Sequence, residues 1–319
     1  MFTRTLGRSG IEVSALGMGC WAIGGPFTKL GEPVGWGTVD DAESLRAIER
    51  ALELGVTFFD TADVYGCGHS ERLLAKALAG RRDQVVLATK FGHVFDEGKK
   101  DIHDSDGSPA YVRACCEASR RRLGVDVIDL YQFHVNGYDL AKAAATRDTL
   151  EELVAEGKIR AYGWSTDDPE RARFFAQGPH CTAIQQQINI LEGSLDVLAA
   201  CQKLGLASIN RGPLCRGLLT GKFTRDSTLP ANDVRHGWNF REGPQAEWLE
   251  KLAAIREVMT REGHTLAQAA LGWLWARSTV TVPIPGFKTV AQVTENLGAL
   301  AKGPLSPAQM REIADLLAG

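Results

Sequence analysis

One alternation constrains the fold of this chain more than anything else in it. Short apolar runs of strand length are each followed by a longer stretch with helical spacing, almost from end to end. Eight runs read as strands: Ala15–Leu16, Thr57–Phe59, Val85–Thr89, Val127–Gln132, Ile159–Gly163, Ala183–Gln185, Ala207–Ile209 and Val280–Val282. In Asp41–Leu54 the residues Leu45, Ile48 and Leu52 fall on one helical face, and the stretch stops before Gly55, which readily takes the left-handed conformation that ends helices. Similar spacing predicts helices over Ser70–Leu78, Tyr111–Leu123, Leu140–Glu156, Pro169–Ala176, Ser194–Leu204, Ala246–Glu262, Leu266–Ala276 and Val290–Leu300, with a carboxy-terminal helix over Ser306–Leu317. Eight strand–helix units in 319 residues predict an α/β fold of the (β/α)8 TIM-barrel type. Thr3–Leu6 and Ile11–Val13, on either side of Ser9-Gly10, predict a β-hairpin plugging one end. No Pro/Gly/Ser linker or shift of composition divides the chain, so residues 1–319 are expected to form a single domain.

A doubly wound sheet competes weakly. Its dinucleotide fingerprint has one near-match, Gly17-Met18-Gly19-Cys20-Trp21-Ala22, which leads into Gly24-Gly25-Pro26 rather than the helix that fold requires. Three longer segments, Gly24–Thr38, Gly92–Pro109 and Arg216–Gly243, read as irregular. They follow the first, third and seventh strands and so belong on one face of a barrel.

Charge and cysteine usage narrow the setting. Thirty-six basic against 39 acidic residues leave a formal charge of −3, which argues against a broad nucleic-acid surface but not against a local phosphate pocket. No run approaches the ~18 apolar residues of a membrane span, and Met1-Phe2-Thr3-Arg4-Thr5-Leu6-Gly7 has no apolar signal core. The seven cysteines, Cys20, Cys67, Cys115, Cys116, Cys181, Cys201 and Cys215, show no Cys-x-x-Cys spacing and read as reduced thiols. A cytoplasmic protein is expected, and no residue pattern signals a particular oligomeric state.

Polar residues with chemistry to offer stand at successive strand ends. Phe58-Phe59-Asp60 closes the second strand, and Tyr65-Gly66 follows in the next loop. Lys90 closes the third strand and His134 the fourth, each after an apolar run. Taken singly, the aspartate reads as a helix cap, the tyrosine as a loop anchor, the lysine as a rim residue and the histidine as a satisfied polar group. Jointly, on consecutive strands of a barrel, they converge on one mouth. A tyrosine beside a lysine has its ionised form favoured, which brings it toward acid–base use. No His/Asp/Glu set has metal-ligand spacing, so no metal is expected. A Schiff-base role for Lys90 is disfavoured, because a paired Asp60 would raise its pKa.

At these residues the chain closely resembles the aldo-keto reductase superfamily over nearly its full length. Asp60-Thr61-Ala62 with Tyr65-Gly66, Glu71-Arg72-Leu73-Leu74, Lys90 after Ala88-Thr89, and Tyr131-Gln132-Phe133-His134 match the family's blocks in order. So do Gly163-Trp164-Ser165-Thr166, Gly217-Leu218-Leu219-Thr220-Gly221-Lys222 and Ile284-Pro285-Gly286 with Glu295-Asn296. The resemblance implies an NAD(P)H-dependent reductase of small aldehydes and ketones, with Tyr65 as general acid, Lys90 lowering its pKa, Asp60 holding Lys90, and His134 donating to the carbonyl oxygen. It implies cofactor contacts from Ser165 and Gln185 to the nicotinamide, and from Asn210, Arg211, Gly212, Pro213, Leu214, Gly217, Leu219 and Lys222 around the nicotinamide and pyrophosphate. Gly286, Lys288, Gln292, Glu295 and Asn296 would surround the adenosine. A cation at Lys288 suits a 2′-phosphate, which favours NADP(H) over NAD(H). The alternative on the same scaffold is a cofactor-binding regulatory subunit similar to the potassium-channel β subunits.

Two departures from the family pattern stand out. Arg211 occupies a position usually aromatic and stacked on the nicotinamide. It either stacks there and disfavours the oxidised, cationic ring, or swings out to pair with a phosphate or an acid. Thr166 stands where asparagine is frequent. For the substrate pocket, Trp21 and Phe91 are the candidates, with His93 and Trp238 or Phe240 as further walls. Cys20 and Cys67 fall near the mouth as packed thiols.

Overall fold

The computed structural model describes residues 2–318. In chain order the strands are β1 (Thr3–Thr5), β2 (Glu12–Ser14), β3 (Met18–Gly19), β4 (Thr28–Lys29), β5 (Glu32–Pro33), β6 (Phe58–Asp60), β7 (Val86–Phe91), β8 (His93–Asp96), β9 (Asp101–Ser105), β10 (Ile128–Phe133), β11 (Ile159–Ser165), β12 (Cys181–Gln187), β13 (Ala207–Arg211) and β14 (Thr281–Pro283). The α-helices are α1 (Asp41–Glu53), α2 (His69–Ala77), α3 (Pro109–Leu123), α4 (Leu140–Ala155), α5 (Pro169–Phe175), α6 (Asp196–Leu204), α7 (Pro244–Thr260), α8 (Leu266–Arg277), α9 (Val290–Lys302) and α10 (Pro307–Ala318). Local chemistry sets many of their starts. Asp40, Ser108, Asp139, Asp168 and Thr289 each accept a first-turn amide of the helix that follows, and Thr265 with Gln268 forms a capping box on α8.

Eight strands form one parallel sheet in the order β3, β6, β7, β10, β11, β12, β13, β14. The sheet closes on itself where Gly17 N donates to the Pro283 carbonyl at 2.9 Å and Gly19 N to that of Pro285 at 3.0 Å. The result is a (β/α)8 barrel, as the alternation predicts. Side chains alternate along each strand. Phe58, Val86, Ala88, Leu130, Ala161, Ala183, Ala207, Ile209 and Val282 fill the interior, while Phe91, Tyr131, Phe133, Tyr162 and Trp164 face the helices. Burial on both faces is why these strands read as unbroken apolar runs.

The β1–β2 hairpin plugs the amino-terminal end of the barrel, with Leu6, Ile11 and Val13 joining the interior cluster. Its turn is pressed so close that a Cβ on Gly7, at φ +52°, would sit 2.2 Å from the Thr182 carbonyl oxygen. The first barrel strand forms at Met18–Gly19 rather than at Ala15–Leu16, because Ala15 is still tied to the plug: its amide donates to the Phe2 carbonyl and its own carbonyl accepts from Trp275.

The larger departure lies above the mouth. Gly24–Thr38 and Gly92–Pro109 are not irregular but supply β4, β5, β8 and β9, which join in a four-stranded sheet ordered β5, β4, β9, β8. Arg216–Gly243 meets the same region through a bridge between Trp36 and Asp233. All seven cysteines are buried and free. Among the described residues no helix is long and apolar enough to cross a membrane.

Candidate active site

The strand ends open into a cavity of about 640 Å³ at the carboxyl-terminal mouth of the barrel. One parity of side chains feeds it. On β7 the residues Val86 and Ala88 point inward, and Lys90 continues that row; Phe58 does the same for Asp60, Leu130 for Gln132 and then His134, and Ala183 for Gln185. Tyr65 enters from the turn after β6.

These groups meet. The Lys90 ammonium is fully buried and donates to Asp60 Oδ1 at 2.5 Å, to the Thr61 carbonyl at 2.7 Å and to the Tyr65 hydroxyl at 3.2 Å. The second oxygen of Asp60 accepts from Gln132 Nε2 at 2.9 Å and from Gln185 Nε2 at 2.8 Å. The carboxylate is therefore fixed from three sides, and it fixes the ammonium in turn. Gln132 is the member that motif reading missed. Its signal was an amide two residues before His134 and hence on the same face of the strand.

Electrostatics set the protonation states. Burial pushes the Tyr65 phenol above its usual range and outweighs the downward pull of Lys90, so the net lowering expected from the sequence does not occur. For Lys90, burial pushes down, but Asp60 and Tyr65 more than offset it and the ammonium is held charged. Burial, followed by Lys90 and His93, drives His134 well below the usual imidazole value. Its ring stands edge-on to Tyr65, with centroids 5.9 Å apart, and His93 beside it is lowered by burial to about 4. Trp21 lies nearly parallel to Tyr65 at 6.1 Å and forms one wall.

The remaining sequence candidates divide. Ser165, Gln185, Arg211, Gly212, Pro213, Leu214, Gly217, Lys222, Gly286, Lys288, Gln292, Glu295 and Asn296 line the cavity. Phe91 does not, because strand alternation turns it away from Lys90 to stack on Tyr131 at 4.4 Å. Asn210 fails for the same reason: with Ile209 inward and Arg211 at the mouth, its amide turns outward to Ser208 Oγ at 2.9 Å. Leu219 is buried in the cluster under the helices. Trp238 and Phe240 pack with Phe223 away from the cavity, whereas His93 lines it. Cys20 lines the cavity and Cys67 packs beneath it, both with thiols pushed up by burial, Cys67 to about 12. Thr166 turns away and donates to Asn136 Oδ1 at 3.0 Å. Arg211 is paired out: its guanidinium binds Asp167 and donates to Gln187 Oε1 at 2.9 Å. Phe27, Val34, Trp36 and Ile102 add apolar walls from segments that gave no motif signal.

Opposite the tyrosine the cavity is strongly cationic. Lys222, Arg235 and Lys288 crowd around a single acid, Asp233, which Arg235 holds at 2.8 Å. Burial first, and then Arg235 among other charges, depresses both lysines. The backbone beside them takes positive φ at three successive residues, Cys215 (47°), Arg216 (49°) and Gly217 (93°). The run folds the segment back on itself, with Cys215 N donating to the Gly212 carbonyl and Gly217 N to the Leu214 carbonyl, each at 2.9 Å. On α9, Gln292, Glu295 and Asn296 share one helical face toward the cavity.

A closed (β/α)8 barrel with a buried lysine–aspartate–tyrosine set at its mouth and a cationic cradle beside it defines a class of barrel enzymes. Residues 15–318 match the profile of the Aldo/keto reductase family. The chain is 34% identical over 315 residues to "Probable aldo-keto reductase 1" of Glycine max, covering 97% of this chain and 86% of that protein. Among solved structures, a glycerol dehydrogenase of Gluconobacter oxydans (AKR11B4) superposes with a TM-score of 0.85 at 31% identity, covering 99% of this chain and 95% of that one. An aldo-keto reductase of Bacillus halodurans (AKR11C1) gives 0.81 at 30% identity in its holo form, with 99% and 96% covered. The chain belongs to the aldo/keto reductase family and is an oxidoreductase of carbonyl substrates, a family that uses nicotinamide cofactors.

Proposed function

We propose that this protein reduces the carbonyl of small aldehydes and ketones to alcohols with NADPH, and runs the reverse oxidation, with Tyr65 as the proton donor. One observation carries the reading: the Lys90 ammonium touches both Asp60 and the Tyr65 hydroxyl inside the cavity mouth. Bound nicotinamide supplies the hydride. Every other requirement falls to side chains of the chain itself.

A carbonyl oxygen between Tyr65 and His134 meets a phenolic O–H and an imidazole N–H. Burial keeps Tyr65 protonated, so it holds a proton to give; burial keeps His134 neutral, so it donates one hydrogen bond without bringing a charge. As the carbonyl carbon is reduced, negative charge gathers on the oxygen and the Tyr65 proton moves to it. The phenolate left behind sits 3.2 Å from the Lys90 ammonium, which stabilises it. Asp60, held by Gln132 and Gln185, keeps that ammonium charged and in place.

The residues fit the cofactor. The segment around Gly212, Leu214, Arg216 and Gly217, with Lys222, would hold a pyrophosphate. Lys222, Arg235 and Lys288 around one aspartate leave a surplus of positive charge, which suits the additional phosphate of NADP(H) over NAD(H). Ser165 and Gln185 would face the nicotinamide, and Gln292, Glu295 and Asn296 the adenosine. Arg211, its charge shared with Asp167, has less repulsion to exert on an oxidised ring than a free guanidinium would.

The test is initial-rate oxidation of NADPH and of NADH over a panel of aldehydes and ketones. The reading expects turnover, with kcat/KM for NADPH at least about tenfold higher, equivalent to about 1.4 kcal/mol. Equal use of the two cofactors would overturn the phosphate assignment. Tight cofactor retention with no turnover on any carbonyl would replace the reading with a regulatory one.

A further inference from the structure

The small sheet over the mouth carries a lysine that forms no ion pair with a described residue. Lys29 ends β4, and its register partner on β9 is Ile102. Residues paired across a ladder project from the same face. Ile102 packs with Phe27, Val64 and Tyr65, so that face looks down into the mouth. Lys29 accordingly lines the cavity together with Tyr65, His93 and His134. Its ammonium is in no ion pair among the described residues, although Glu32 stands opposite it on β5. Both imidazoles feel it, since Lys29 is among the causes that hold His93 and His134 low.

Of the other cations of the cavity, all but Lys222 have a partner in the chain, Arg216 lying 3.8 Å from Glu192. Arg211 is bound to Asp167 and Arg235 to Asp233, and Lys288 donates to the Trp36 carbonyl. Lys222 lies against Gly217 in the cradle assigned to the cofactor phosphates. Lys29 comes from a different sheet and stands with the proton donor. Trp21, Phe27, Val34 and Ile102 line the same cavity with apolar surface, and His93 and Trp36 each bring a buried ring nitrogen without a protein partner. Lys29 is exposed at the rim of that space, so a neutral substrate leaves its ammonium to water. A substrate with an anionic group would give it a charge-assisted hydrogen bond.

We propose that Lys29 is a specificity-determining residue that binds an anionic group on the carbonyl substrate, so that the site is built for small aldehydes or ketones carrying a carboxylate or a phosphate. The proposal rests on the carbonyl-reductase reading of the same site. The anionic group takes no part in the chemistry: hydride goes to the carbonyl carbon and the Tyr65 proton to its oxygen, as for a neutral substrate.

Matched pairs test it. kcat/KM is measured with NADPH for succinic semialdehyde against methyl 4-oxobutanoate, and for glyceraldehyde 3-phosphate against glyceraldehyde, in the native protein and in Lys29→Gln and Lys29→Arg. The native protein favours the charged member of at least one pair, and the pair that shows it distinguishes a carboxylate from a phosphate. Lys29→Gln lowers that charged-to-neutral ratio about fivefold through KM. This is about 1 kcal/mol, the upper end for a solvent-reached ion pair. Lys29→Arg keeps most of the ratio, and added salt erodes it in the native protein. A ratio unchanged in Lys29→Gln, or a preference for the neutral member of both pairs, overturns the proposal and leaves carbonyl reduction standing. NADPH oxidation with none of the four compounds, nor with neutral aldehydes generally, overturns the reading beneath it.

Discussion

At the scale of single residues, protonation states decide what the mouth can do. Tyr65 is pushed up by burial, so its donor form persists through the neutral range and is lost only as pH rises past the usual phenol value of about 10. His134 is pushed well below 6.5 and is already neutral there, so it contributes no acid limb near that pH. The rate of carbonyl reduction is therefore expected to stay flat from about pH 6.5 to 9 and to fall only on the alkaline side. A pH profile of kcat/KM checks this, and a half-maximal point near 6.5 would contradict the neutral His134. Asp60, Lys90 and His134 were visible in the sequence because each follows an apolar run whose parity it shares, and Tyr65 because it stands beside Gly66 in the loop just after one. The same parity, applied one residue further, turns Phe91 and Asn210 away from the cavity; motif matching alone had included them. The orientation of Arg211 was not legible, because its partner Asp167 comes from another loop.

At the scale of elements, β7, the strand that carries Lys90, is braced from outside the barrel. Glu71 on α2 is fully buried, accepts from Thr89 Oγ1 at 2.7 Å and from Arg122 Nε at 2.6 Å, and so ties α2 and α3 to β7 one residue before Lys90. Removing one partner of a buried pair leaves the other charge uncompensated, and Glu71→Ala is expected to cost about 3–5 kcal/mol. Urea unfolding of the variant measures it, and a loss below about 1 kcal/mol would mean the brace is solvated rather than structural. Helix positions were readable from capping residues and periodicity. The sheet of β4, β5, β8 and β9 was not, because its central pair joins Thr28 to Asp101 across more than seventy residues and each piece is short and turn-rich. That sheet holds Lys29 and Ile102 over the mouth, so the least legible element carries the residue proposed to choose the substrate.

At the scale of the molecule, the barrel keeps apart two regions to which the proposal gives two tasks: β13, β14 and α9 bring the cationic cradle, and β6, β7 and β10 bring Asp60, Tyr65, Lys90 and His134. Length and alternation made the barrel legible, since eight strand–helix units allow few other closures. The division of labour needed the structure, because residues more than two hundred positions apart, such as Trp36 and Lys288, meet across the cavity. If the two tasks are separable, a variant can lose one and keep the other. Tyr65→Phe, followed by NADPH-dependent turnover and NADPH-induced thermal stabilisation on the same preparation, tests this most directly. Turnover is expected to fall by about 10²–10⁴, the usual worth of a positioned acid. NADPH at about 100 times its Kd should still stabilise the variant by about 2.7 kcal/mol, as it does the native protein. Turnover within about threefold of native in Tyr65→Phe would contradict the account, because a proton donor worth that factor cannot be absent from a working site.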